Sequence, residues 1–103
     1  FVREALAAAT LDHPNVARVY TVDPAAEPPF LVMEYVPGVT LQAAVAGTGT
    51  FSTGAAAECG RQAALGLHAA FEGGLVHRDV KPANLMLTRC GVVKVLDLGI
   101  VRV

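Results

Sequence analysis

The segment LVHRDVKPANLML, Leu75 to Leu87, sets a carboxylate, an ammonium and a carboxamide at Asp79, Lys81 and Asn84 between two apolar runs. Eighteen residues after Asp79, the triplet Asp97-Leu98-Gly99 adds a second carboxylate directly behind the apolar run Val92 to Leu96. A lone Asp or Asn in a loop is most often a turn or cap residue. Four such groups at these spacings have a chemistry in common. A carboxylate held in a loop can accept a hydroxyl proton, and a Lys two residues on can offset developing negative charge. Carboxamide and carboxylate oxygens are the ligands that a hard divalent cation accepts.

His77-Arg78-Asp79-Val80-Lys81-Pro82-Ala83-Asn84 fits the His-Arg-Asp-(Leu/Val)-Lys-x-x-Asn loop, and Asp97-Leu98-Gly99 follows it across a strand–turn–strand pattern. In these motifs the chain resembles a protein kinase domain, most closely the eukaryotic-like serine/threonine kinases of bacteria, and the resemblance runs over its whole length. It implies a partial two-lobed α+β fold: a first helix, two N-lobe strands, a hinge, two helices, the catalytic loop and short C-lobe strands. Residues 1–36 would be the N-lobe remnant and hinge, and residues 37–103 the first half of the C-lobe.

The resemblance also assigns roles, with ATP and Mg²⁺ as the bound groups and a protein Ser or Thr hydroxyl as acceptor. Asp79 would take the hydroxyl proton and Lys81 would contact the γ-phosphate. Asn84 and Asp97 would hold the metal. Lys at position 81 resembles the Ser/Thr branch rather than the Tyr branch. Glu4 corresponds to the helix glutamate that pairs with an ATP-positioning lysine. In LVMEYV, the backbone of Glu34 and Val36 would bond the purine edge, Met33 would guard the back of the pocket and Met86 would floor it. His77 is expected to pack beneath the metal-binding Asp, and Arg78 resembles the arginine that binds a phosphorylated activation loop.

The elements that must position these residues are partly visible. Phe1 to Leu11 has helical spacing at Phe1, Ala5 and Ala8 and is stopped by Asp12-His13-Pro14-Asn15. Val16 to Val22 and Phe30 to Val36 read as strands of an antiparallel hairpin around the loop PAAEPP. Thr40 to Ala46 predicts a short helix. Ser52 to Phe71 predicts the longest one, with an inward stripe of Ala56, Cys59, Ala63, Leu67 and Ala70, ended by Gly73-Gly74. The turn Thr88 to Gly91 joins two short apolar runs. GTGTFS, Gly47 to Ser52, imitates a phosphate-covering Gly-rich loop, but it has Ser at the third glycine position and a helix behind it. It is therefore expected to be an interhelical loop. His13 and His68 are expected at a turn and near a helix end.

Composition bounds the rest. With 103 residues the chain is at most one domain, and eight basic against nine acidic residues leave no basic face for nucleic acid. Cys59 and Cys90 lack metal-ligand or disulfide-framework spacing, which favours reduced thiols and a cytoplasmic location. There is no membrane-spanning run or signal-peptide layout; oligomeric state is not legible. An apolar content of 53% with ten further glycines is high for so short a chain. Two explanations stand: an Ala-rich coding bias, or a domain lacking part of its structure. The only lysines are Lys81 and Lys94, so Glu4 has no ATP-positioning partner here. A segment of a serine/threonine kinase that is inactive alone is the expectation. The competing reading is a non-catalytic kinase-like module that binds a partner or regulates a true kinase; survival of Asp79, Asn84 and Asp97 argues against it. A small-molecule kinase of the same fold would lack Lys81.

Overall fold

The structure, a computed structural model, describes residues 9–23, 25–28, 30–75 and 80–96. Ala9 and Thr10 are helical; the rest of the expected first helix, Glu4 included, lies outside the described residues. Two small antiparallel sheets and two helices follow. β1 (Val19–Asp23) pairs with β2 (Phe30–Met33), with an irregular step between Val19 and Thr21. β3 (Gly38–Thr40), β4 (Leu85–Thr88) and β5 (Val93–Val95) form the second sheet in that spatial order. Between β3 and β4 come α1 (Leu41–Thr48), α2 (Thr53–Glu72) and a single 3₁₀ turn, Pro82–Asn84.

Both helices begin where a hydroxyl can cap them. The Thr40 and Ser52 side chains accept hydrogen bonds, each 3.1 Å long, from the amides of Ala43 and Ala55. Each satisfies one of the donors a helix start leaves open. At the far end of α2, Gly74 takes a left-handed φ of 89°, which lets the Leu75 N–H return to the Ala70 carbonyl at 2.9 Å. That closure drops Leu75, 2% exposed, into the core.

The predicted stripe on α2 is turned. Ala63 and Ala70 are buried as expected, but Ala56 is exposed, and Gln62 and Gly66 face inward instead. The reason is polar. Gln62 Oε1 accepts from the Val93 amide at 2.7 Å and from Asn15 Nδ2 at 3.0 Å, while Gln62 Nε2 donates to the Gly91 carbonyl at 2.9 Å. Asn15 Nδ2 also donates to the Val93 carbonyl at 2.9 Å, so two buried polar side chains satisfy each other and the start of β5. Gly66 permits this contact, because a Cβ there would overlap the Asn15 carbonyl oxygen. The His13 ring shapes the turn before it by accepting the Asn15 N–H through Nδ1 at 3.0 Å.

The same network shortens the first predicted strand. Residues 15–17 run parallel to β5, where Val95 N–H donates to Asn15 and Ala17 N–H donates to Val95, at 2.9 and 3.0 Å. Only from Val19 is the chain available to pair with β2. The second strand ends at Met33 rather than Val36, and β3 is an element that Pro37-Gly38 had concealed. The core gathers Val16, Val19, Leu75, Leu85, Val93 and Val95 between α2 and β5. Gly47 and Thr48 extend α1 beyond the expected helix end at Ala46, and Gly49 to Ser52 is the loop that joins the two helices.

Candidate active site

The hinge stretch, residues 34–37, runs between β2 and β3 outside both ladders. Its first residue is anchored through backbone and side chain together. Glu34 N–H donates to the Arg18 carbonyl at 2.6 Å, and Glu34 Oε1 accepts the Arg18 N–H at 3.0 Å. Lys94 Nζ then lies 3.0 Å from Glu34 Oε2 and 3.3 Å from Oε1. Since the Glu34 amide is committed to Arg18, the backbone group it can offer a ligand is its carbonyl. Val36 is buried at 7% exposure, with its side chain directed into the fold.

Met33, Glu34, Tyr35 and Val36 form one wall of a cavity of about 320 Å³, and Met86 and Leu96 form the other. The four hinge and floor residues read from the sequence thus meet at one place. Tyr35 and Leu96 were missed, although each adjoins a predicted residue, and that adjacency was the available signal. A cavity of this size, with thioether and aliphatic walls and a few backbone polar groups, suits a flat heterocycle; small-molecule sites begin at about 300 Å³. A larger depression of about 560 Å³, between Tyr35, Val39 and Arg89, contains none of the residues predicted to act in chemistry except by sharing Tyr35's neighbourhood.

Pro82 begins the 3₁₀ turn with its fixed φ, and Asn84 N–H donates to the Lys81 carbonyl at 2.9 Å. The Asn84 carbonyl in turn accepts the Leu96 N–H at 2.9 Å. This bond joins the end of the turn to the residue immediately before Asp97. Lys81 is exposed and Asn84 half-buried. Asp79 and Asp97 lie outside the described residues, as do His77 and Arg78. As a donor set, the Asn84 carboxamide and the Asp97 carboxylate are hard oxygen ligands and fit Mg²⁺.

A protein kinase domain profile matches residues 1–103. The chain belongs to the protein kinase family. Among curated relatives, this chain is 43% identical over 106 residues to the serine/threonine-protein kinase PknB of Mycobacterium tuberculosis (strain ATCC 25618 / H37Rv), covering 99% of its own length. It is 36% identical over 100 residues to the serine/threonine-protein kinase PrkC of Bacillus subtilis (strain 168), covering 97% of this chain. It spans only 17% and 15% of those proteins' lengths. The solved structure of Rad53 1-466 in complex with AMP-PNP superposes with a TM-score of 0.85 at 30% identity, covering 95% of this chain and 27% of that one. The partial kinase fold expected from the motifs is therefore the observed one. No helix among the described residues is long and apolar enough to cross a membrane.

The electrostatics of the hinge give a measurable signature. Partial burial pushes the Glu34 carboxyl up, the largest single influence on it. The Arg18 N–H, the Lys94 hydrogen bond and the charges of Lys94 and Arg18 together outweigh that, and the net shift is downward from 4.5. A carboxyl held below its ordinary value stabilises the fold fully above that value and stops doing so as acid protonates it in the folded chain. Wild-type stability is therefore expected to exceed that of Glu34→Gln at neutral pH, with the gap closing as pH falls below about 4.5. Urea titrations at pH 7 and at successively lower pH check this; a gap independent of pH would contradict it.

Proposed function

We propose that this kinase domain transfers the γ-phosphoryl group of ATP to Ser or Thr hydroxyls of protein substrates. The observation that carries the reading is the Asn84–Leu96 backbone bond. It fastens the turn that follows Asp79 and Lys81 in the sequence to Leu96, the residue before Asp97, and Leu96 lines the cavity together with residues 33–36 and Met86.

In this reading the adenine lies between Met86 below and the Met33–Val36 hinge. Its edge is held by the Glu34 carbonyl and the Val36 N–H. Asp79 accepts the proton of the attacking hydroxyl, and Lys81 offsets charge on the γ-phosphate. Asn84 and Asp97 would hold Mg²⁺, which when bound neutralises phosphate charge. Glu4 would orient a lysine that contacts ATP. Residues 1–36 act as N-lobe and hinge, residues 37–103 as the first half of the C-lobe, and the site of action is the cytoplasm.

Hydrogen exchange on the full-length protein with and without Mg-ATP tests the placement. Slowed exchange at Val36 and in the Met86 strand is expected; protection confined to the Tyr35–Arg89 depression, or none anywhere, would sink it. A second expectation concerns lysines. Lys94 is engaged by Glu34 and Lys81 belongs to the catalytic segment, so the lysine that Glu4 requires comes from outside these 103 residues. The 103-residue chain alone is expected to transfer no phosphate above background in a γ-labelled ATP assay. Robust transfer abolished by Asp79→Asn would overturn that expectation.

A further inference from the structure

The reading above gives Lys94 no part in chemistry, yet its pair with Glu34 is the least exposed ion pair among the described residues. Val93 and Val95 on either side are buried in the core, so strand alternation turns Lys94 to the opposite face. There it stands across from Met86, the floor residue, in the β4–β5 register. Its ammonium reaches both Glu34 oxygens, at 3.0 and 3.3 Å, and one of those oxygens also takes the Arg18 N–H at 3.0 Å. One carboxylate thus ties together the residue before β1, the first hinge residue and β5. Two residues beyond Lys94, Leu96 lines the cavity and is fixed by Asn84.

The two walls of the cavity are therefore connected by this pair as well as by the chain. One wall is the hinge, which has no ladder of its own; the other is β4 with the end of β5. We infer that Glu34 and Lys94 are positioning residues that set the spacing of these walls and so govern affinity for ATP. The inference rests on the nucleotide reading of the cavity. An exposed ion pair would carry little. This one is mostly enclosed, engages both carboxylate oxygens and is reinforced by a backbone donor, the arrangement in which charge-assisted bonds are strong. Its contribution falls on binding because neither side chain belongs to the set that handles phosphate, and pre-shaping a cavity lowers the cost of filling it.

Steady-state kinetics of the full-length protein test the pair. Lys94→Met and Glu34→Gln are each expected to raise KM for ATP about tenfold, the worth of one charge-assisted bond, with most of the loss in KM rather than kcat. The double variant should be no worse than either single one, because the second change removes a partner already lost. Lys94→Arg keeps the charge and should recover most of the affinity. A merely structural role would instead lower the active fraction, and so the apparent kcat, with KM unmoved. Arg61→Ala, which breaks an exposed pair with Glu58 on α2, serves as control for that effect. An unchanged KM in Lys94→Met, or single effects that multiply in the double variant, would overturn the inference while leaving the nucleotide reading intact. Absence of ATP-dependent transfer and of ATP binding in the wild type would remove both.

Discussion

Asp79→Asn is expected to lower kcat for phosphoryl transfer by at least about a hundredfold, the lower end of what a positioned general base contributes. The substitution keeps size and hydrogen-bonding capacity but removes the group that can take a hydroxyl proton. KM for ATP should change far less, because the cavity proposed for adenine is lined by Met33 to Val36, Met86 and Leu96. Urea midpoints of the two proteins should agree closely. The outcome that counts against the assignment is a kcat within a few-fold of wild type at equal stability.

Leu75→Ala is expected to have the largest effect on stability, about 2–5 kcal/mol out of the roughly 5–15 that a typical domain possesses. Leu75 is 2% exposed and packs in the cluster that includes Ala70, Val93 and Val95. Its amide is fixed by the Ala70 carbonyl, so the main chain is poorly placed to collapse into the space left behind. Because the proposed catalytic loop follows Leu75 in the sequence, activity should fall along with stability and at lower urea. Leu65→Ala on α2, 43% exposed, should be close to neutral. A urea midpoint shift about 1 M or more larger for Leu75→Ala than for Leu65→Ala is the expected reading. Equal shifts would mean that this part of the core is not where the fold is held.

The residues proposed for chemistry were legible through the resemblance to protein kinases, whose motifs are short and local in the sequence. Asp79, Lys81 and Asn84 fall within six residues of sequence, and Pro82 announces the 3₁₀ turn that carries Asn84. The hinge came from the same resemblance, read on LVMEYV just before Pro37-Gly38. What escaped depends on pairs far apart in the chain. Nothing near Gln62 signals that its carboxamide will be buried. Only the arrival of Val93 and Asn15, 31 and 47 residues away, turns that face of α2 inward. The apolar stripe pointed to Ala56 because hydrophobicity was the only local cue.

β3 was hidden by its length and by its partner. Three residues cannot show an alternating pattern, and the strand they pair with begins at Leu85. A Cβ at position 38 would overlap the Leu87 carbonyl oxygen, so the glycine that looked like a strand terminator is what permits the pairing. Lys94 is the instructive omission. A single Lys in VVKVL reads as the solvated face of a strand, and its partner Glu34 stands 60 residues earlier. Charge on an otherwise buried strand is better treated as a prompt to look for its counter-ion.

The central claim is that Asp79, Lys81, Asn84 and the hinge together make a serine/threonine kinase site. The most direct measurement is transfer of label from γ-labelled ATP by the full-length protein, followed by identification of the labelled amino acid. Label on serine and threonine of protein substrate in the wild type, and its loss in Asp79→Asn, is the predicted result. No transfer, label on tyrosine alone, or transfer indifferent to Asp79→Asn would contradict it.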